Sequence, residues 1–199
     1  QLKGNFERVR RLAESNFGNA GIFLEKFFPQ ARHLEVQVFG DGQGRALSLG
    51  VRDCSAQRRN QKVPEETPPI GVNPGTLESL EASARHSATN VRYRSAGTVE
   101  FLYDEEKDSF FFLEVNTRLQ VEHGVTELVH GIDLVEWMIR LAQGDEGMFG
   151  DSPKPVLGHA VQARVYAENP ARNFEPSSGL ITRTKFPDHV RWDGWIEDG

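Results

Sequence analysis

Two glutamates, Glu100 and Glu114, flank an acidic turn at 104–108 in a stretch that reads as a β-hairpin over 98–116. If that turn centres on Lys107, residues equally far before and after it pair, and Glu100 faces Glu114 across the strands. Like charges so placed destabilise a sheet. The pair therefore calls for a cation between its members, or for a proton held by one of them. Asn116, two residues beyond Glu114, projects from the same face and adds an amide oxygen. Two carboxylates and an amide suit a hard cation such as Mg²⁺ (or Mn²⁺), with nucleotide phosphate and water oxygens completing its shell. Taken alone, such a pair is more often the solvated face of an antiparallel sheet, and Phe101, Phe111, Leu113 and Val115 put the opposite face on a core under either reading. The segment E-V-N-T-R-L-Q-V-E-H at 114–123 is more informative. It carries Glu114, Asn116, Arg118, Gln120 and Glu122 at alternate positions, which in one strand would line a single face. An arginine fixed beside a glutamate, beyond a metal site, can bind an oxyanion and take its proton.

The elements that must position these groups follow from periodicity. Residues 5–15 have apolar side chains at Phe6, Val9 and Leu12, a helical spacing with Asn5 as its cap. Glycines at 18 and 21 break that pattern, and 22–28 reads as a strand. Residues 33–39 alternate, with His33, Glu35 and Gln37 facing one way and Leu34, Val36 and Val38 the other; a glycine-rich turn at 40–44 returns the chain as a strand over 46–52. The polar stretch 53–73 is too long for an ordinary connection and reads as a functional loop. A helix is expected over 76–91 and strands over 98–103 and 109–116. A second helix over 133–143 has Asp133 as its cap and Gly144 as its stop. A linker at 144–154 leads to a strand over 159–168, on which Gln162, Arg164 and Tyr166 share a polar face, then a loop at 176–179 and a strand over 180–186. The class is α+β, an antiparallel sheet with flanking helices.

The 199 residues carry 29 acidic and 23 basic side chains, a net charge of −6, which argues against nucleic acid as a partner. No apolar run approaches the roughly 20 residues of a membrane span. A single cysteine, Cys54, has no internal partner and favours a reducing, cytoplasmic setting; with no base beside it in a nucleophile pattern, it reads as structural. The chain has no initiator methionine and ends in a strand-like stretch, so it is read as a fragment.

The run E-V-N-T-R-L-Q-V-E-H resembles the signature of the ATP-grasp biotin carboxylase component of biotin-dependent carboxylases. R-D-C-S-A-Q-R-R-N-Q-K at 52–62 and A-G-T-V-E-F at 96–101 resemble two further motifs of that family, in the same order. The resemblance spans essentially the whole chain. It implies the end of the ATP-grasp lid at 1–27, the main ATP-grasp half at 28–148, and the start of the biotin carboxylase C-terminal domain at 149–199. It further implies ATP-dependent carboxylation of biotin by bicarbonate through carboxyphosphate. In that reading Glu100, Glu114 and Asn116 hold the metal, and Glu122 takes the bicarbonate proton. Arg118, Gln120, the backbone at Val121 and nearby Lys62 cradle bicarbonate. Arg164 stabilises the biotin enolate, and Glu25, Phe28, His33, Gln57, Asn60 and Leu102 surround ATP, with 25–28 as the hinge that meets adenine. The arginines at 58 and 59 would by themselves be a solvated pair, and His123 an orienting residue.

Two positions depart from the family's common form: Asn60 stands where histidine is usual, and Val51 where glutamate precedes the arginine. The R-R-N-Q-K run, the D-L-V-E-W run at 133–137 and V-R-W-D-G-W at 190–195 look most like urea carboxylase, including its urea amidolyase fusions. The implied partners are biotin carboxyl carrier and carboxyltransferase modules, on the second of which urea would be carboxylated; a homo-oligomer is compatible with the reading. The family's glycine-rich phosphate loop and ATP-contacting lysines would precede Gln1, so the isolated polypeptide is expected to turn over poorly. Two rivals remain: another ATP-grasp ligase, of amino-acid or carbamoyl-phosphate type, and a non-catalytic remnant domain.

Overall fold

The computed structural model describes residues 2–150 and 155–199. Its centre is a six-stranded antiparallel sheet built from β1 (Arg32–Asp41), β2 (Ala46–Asp53), β5 (Pro64–Thr67), β6 (Arg94–Asp104), β7 (Ser109–Asn116) and β8 (Ala160–Ala163), in the spatial order β7-β6-β1-β2-β5-β8. Between β2 and β5 the chain makes a miniature hairpin, β3 (Gln57–Arg58) and β4 (Gln61–Lys62). The expected functional loop thus holds three short strands, one of them part of the main sheet. Among the described residues four α-helices accompany the sheet: α1 (Leu2–Phe17), α2 (Pro74–Asn90), α3 (His123–His130) and α4 (Leu134–Ala142). A last small pairing joins β9 (Glu168–Asn169) to β10 (Glu175–Pro176).

The two faces of the sheet differ. On the first, Leu34, Val36, Val38, Val51, Val99 and Phe101 pack under Leu80, Ala84 and Ala88 of α2. The second face changes character along its length. At one end Phe39, Leu49 and Ala96 pack against Leu134 and Leu141 of α4. At the other, Glu35, Gln37, Arg52, Thr98 and Glu100 are buried polar groups. Strand β1 alternates as expected, but it is central, so its polar face is buried rather than solvated. Gly40 and Gly97 of this sheet leave the space that Tyr93 fills. A Cβ at Gly40 would lie 2.1 Å from the Tyr93 carbonyl oxygen, and one at Gly97 2.7 Å from its hydroxyl.

Several expected elements differ. Helix α1 includes residues before and after 5–15, so Asn5 lies inside it and is not a cap; the helix buries none of its residues. No strand forms over 22–28, where Phe23 and Phe27 are exposed, nor over 180–186. Among the described residues neither segment has a neighbouring strand, and a lone strand leaves its backbone N–H and C=O groups without ladder partners. The expected strand over 159–168 is shorter, β8 alone, and it completes the main sheet through β5, with Glu65 opposite Gln162. The expected linker at 144–154 includes 151–154, which lie outside the described residues. Among the described residues no helix is long and apolar enough to cross a membrane.

Candidate functional site

Glu100 of β6 lies opposite Glu114 of β7, and Thr98 opposite Asn116. The facing pair is the expected one, but the route to it is not. The hairpin closes with Asp104 opposite Ser109, and a register shift between Glu100 and Phe101 then restores the alignment. Leu113 is the additional residue of that bulge, since Phe101 pairs with Phe112 and Glu100 with Glu114. Strand β7 is also an edge, so Phe111, Leu113 and Val115 are 42%, 38% and 40% exposed and only Phe101 of the expected four is core. The Asn116 amide donates to Glu100 Oε1 at 2.8 Å and lies 3.4 Å from Glu114 Oε1, so all three groups share a face. A half-turn of that amide presents its oxygen instead, and the resulting all-oxygen set suits a hard divalent cation.

After Asn116 the strand ends, and the chain reaches the site by folding rather than by alternation. Glu122 precedes α3, a helix absent from the sequence reading, and the His123 backbone N–H and ring Nδ1 both contact the Gln120 carbonyl. The result is a cavity of about 550 Å³ lined by Glu100, Glu114, Asn116, Arg118, Gln120, Val121, Glu122, Lys62, Arg164, His33, Gln57 and Asn60, with Gln61, Leu113 and Tyr166 completing the wall. Three of the expected positions lie outside this lining. Glu25 is exposed, and Phe28 packs against Phe111, the rings tilted by 30° with centroids 4.7 Å apart. Leu102 faces His33 and Phe111 across the neighbouring strands, which places it on the same side as that aromatic pair.

Charge is organised around Lys62. Its ammonium lies 2.5 Å from Glu35, 2.8 Å from Glu100 and 2.8 Å from Glu122. Burial opposes the charged form, but the three carboxylates outweigh it and push the Lys62 pKa up. Glu122 is held at both ends, with Oε1 on Lys62 and Oε2 on Arg164 at 2.7 Å. Arg164 in turn donates through Nε to Glu65 at 2.7 Å. Burial of Glu65 pushes its pKa up, more than Arg164 lowers it. His33 Nε2 lies 2.9 Å from Glu100; against the opposing effect of burial, contacts to Glu100 and Glu35 raise its pKa to about 9. Glu100 is held near 2 despite burial, by His33 and Lys62. By contrast Arg118, which lines the cavity and is exposed, has among the described residues one hydrogen bond, from Nη1 to the Leu119 carbonyl at 3.3 Å.

Beneath the site lies a group that sequence reasoning did not single out. Arg52 is fully buried and bonds Glu35 at 2.6 Å, Gln37 at 2.7 Å, Thr126 at 3.0 Å, Thr98 at 3.1 Å and Gln120 at 3.4 Å. Burial alone would weaken its charge, and Glu35 restores it. Glu35 is held well below the usual carboxylate range, because Arg52, His33 and Lys62 overcome its own burial. The signal for Glu35 was its position two residues from His33 on one strand face. Cys54 is a buried free thiol whose pKa burial pushes far up, in keeping with a structural role.

Residues 1–147 match the model of the carbamoyl-phosphate synthase L chain, ATP binding domain. The urea amidolyase of Saccharomyces cerevisiae is 55% identical over 98% of this chain and 11% of its own length, and that of Lachancea kluyveri is 50% identical over all of this chain and 11% of its own. The chain thus spans about a tenth of the curated relatives it matches first. The crystal structure of the Kluyveromyces lactis urea carboxylase matches with a TM-score of 0.83 at 45% identity, over 97% of this chain and 16% of that one. The biotin carboxylase domain of the Hydrogenobacter thermophilus 2-oxoglutarate carboxylase, solved with MgADP and bicarbonate, matches with a TM-score of 0.86 at 40% identity, over 95% of this chain and 42% of that one.

Proposed function

Because the chain belongs to the family of carbamoyl-phosphate synthase L-chain ATP-binding domains, in its ATP-grasp biotin carboxylase branch, we propose that it is the part of a urea carboxylase-like enzyme that carboxylates biotin at the expense of ATP and bicarbonate. The observation that carries the reading is the placement of Glu122 between Lys62 and Arg164, with Lys62 also joined to Glu100 of the carboxylate pair, in one cavity.

Each group then has a task. Glu100, Glu114 and Asn116 would hold Mg²⁺, which supplies charge neutralisation at the ATP phosphates. The open fork of Arg118, the Gln120 amide and the Val121 backbone hold bicarbonate. Glu122 gives up one of its two cationic contacts to take the bicarbonate proton; the oxyanion attacks the γ-phosphate, the bond to the bridging oxygen breaks and ADP leaves, and the carboxyphosphate so formed parts into CO₂ and phosphate beside the biotin ureido group. Lys62, bridging the two acidic groups, stays charged throughout and offsets the negative charge that gathers there. Arg164, held through Nε by Glu65 and through Nη2 by Glu122, turns its planar guanidinium to the biotin ureido oxygen as that group becomes an enolate. Gln57, Asn60 and His33 form the nucleotide side of the wall. Carrier and carboxyltransferase modules are the proposed partners, with urea as final acceptor on the second; the greater length of the relatives and their names, urea amidolyase and urea carboxylase, support this.

The test is phosphate release by the full-length protein that contains this chain, with bicarbonate and free biotin varied independently. Dependence of ATP cleavage on bicarbonate, stimulated by biotin, is expected. A rate indifferent to both, or one that needs an amino-acid or ammonia acceptor instead, would replace this reading with that of another ATP-grasp ligase.

A further inference from the structure

Arg58 and Arg59 look in sequence like a solvated basic pair, and no step above uses them. Their surroundings in the fold are not those of a free loop. Each strand of the β3–β4 hairpin is two residues long, with Gln57 opposite Lys62 and Arg58 opposite Gln61. So small a pairing cannot hold itself in water. Its turn, Arg59–Asn60, has φ of 52° and 62°, the left-handed backbone that a two-residue hairpin loop demands. Asparagine adopts it readily and arginine does not. Asn60 thereby has a backbone reason for its identity.

The missing support comes from residues 168–176. The Arg58 guanidinium pairs with Glu168 of β9 and lies over the Phe174 ring, 4.2 Å from its centroid. Arg59 donates to the Asn173 carbonyl at 2.8 Å. The same stretch of chain follows directly on Arg164 and Tyr166, and the Arg164 backbone N–H bonds the Val63 carbonyl at 2.9 Å, one residue past Lys62. Gln57, Asn60, Gln61 and Lys62 line the cavity; Arg58 and Arg59 do not.

We propose that Arg58 is a positioning residue: through Glu168 and Phe174, the segment 168–176 braces the β3–β4 hairpin and so sets Gln57, Asn60 and Lys62 from the biotin side of the site. The kinetic consequence rests on the carboxylation reading, whereas the brace itself does not. Steady-state kinetics and amide hydrogen exchange on the full-length protein test the two parts separately. Arg58→Glu is expected to raise the KM for MgATP and for bicarbonate by about tenfold, with a smaller change in kcat, because a shielded ion pair and a cation–π contact are lost together. Glu168→Arg should raise both KM values as well, and the Arg58→Glu/Glu168→Arg pair should recover the share of the loss that belongs to the ion pair, leaving the roughly threefold effect of the missing cation–π contact. Phe174→Leu, which keeps apolar volume but removes the ring face, should raise both KM values about threefold. Exchange at 57–62 should rise in each single variant and fall part of the way back in the charge-swapped pair. Unchanged KM values, or a double variant as impaired as the product of its singles, would overturn the positioning role. Unchanged exchange at 57–62 would overturn the brace whether or not the protein cleaves ATP, while loss of bicarbonate dependence in the unmutated protein would strike only the functional reading.

Discussion

At the scale of single residues the site is a problem in charge, and Lys62 and Arg52 are its solution. Three carboxylates meet one ammonium at Lys62, and a second cation, Arg52, lies fully buried behind Glu35. Without these cations the acidic groups would repel one another in a poorly solvated space. Arg52→Met tests the buried half of the arrangement. It leaves Glu35 with one cation fewer and Gln37, Thr98 and Gln120 without their shared donor. Urea denaturation should show a loss of about 3–5 kcal/mol. Adding Glu35→Gln to Arg52→Met should recover part of that loss, since the uncompensated carboxylate is then gone; a single variant as stable as the parent would show that the pair carries no structural weight. Glu122→Gln addresses the reactive half. The amide retains the shape and one acceptor but cannot take a proton. Bicarbonate-dependent ATP cleavage should fall by about 10²–10⁴-fold. Binding of MgATP should be nearly unchanged, because Glu122 is not among the proposed metal donors. A rate within a few-fold of the parent would move the base elsewhere.

At the scale of elements, the parts legible in the sequence are those whose signals are local. Helix α4 has Asp133 accepting from the Glu136 backbone N–H at 2.8 Å and Gly144 at φ 88° beyond its end, as its cap and stop residues imply. The β1–β2 hairpin is also where its glycines put it, and Asp41 explains why it holds. Its carboxylate accepts from the backbone N–H groups of Gln43, Gly44 and Arg45 and from Arg45 Nε at 2.7 Å. Burial pushes against the charge, but these donors win and lower the Asp41 pKa. A carboxylate whose folded pKa is depressed adds stability above the unfolded value and loses it as pH falls through the folded one. Asp41→Asn should therefore lower the thermal midpoint at pH 7 and flatten the stability curve below about pH 4. A variant with an unaltered acid limb would assign that loss to other groups. Non-local features were not legible. The β5–β8 pairing joins Glu65 to Gln162 across a long intervening stretch, and nothing near either residue announces it. The Leu113 bulge hid behind a symmetric turn that happened to give the right facing pair. Helix α3 is eight residues long, and the alternation that reads as strand runs up to Glu122, the residue directly before it. Burial of Glu35 and Arg52 was invisible because a polar strand face looks solvated until the helix and strands that cover it are known.

At the scale of the molecule, one sheet serves two purposes on the same face. Helix α4 anchors its apolar end through Phe39, Leu49 and Ala96, and α2 packs on the reverse side against β1, β2 and β6, so the polar end can collect charged groups on a backbone already held in place. The cost of that arrangement falls where the acidic pair meets solvent. Glu114 is exposed on an edge strand, faces Glu100, and has Asn116 as its side-chain contact at 3.4 Å. Facing like charges oppose folding by about 0.2–1 kcal/mol. Binding a cation and nucleotide to the native state instead adds about 2.7 kcal/mol when ligand stands at 100 times its dissociation constant. The two effects make Glu114→Gln informative, because they predict opposite signs. Without ligand the variant should melt at the same temperature as the parent or slightly higher, since a repulsion has gone and no buried bond is lost. With MgATP the parent should gain several degrees and the variant should gain almost nothing. Scanning calorimetry of the full-length protein, with MgATP and with ATP in excess chelator, reads both. A variant that keeps the full MgATP-dependent rise would mean that the facing carboxylates do not hold the metal, and a variant already destabilised without ligand would mean that the pair is a structural contact rather than a site held ready for a cation.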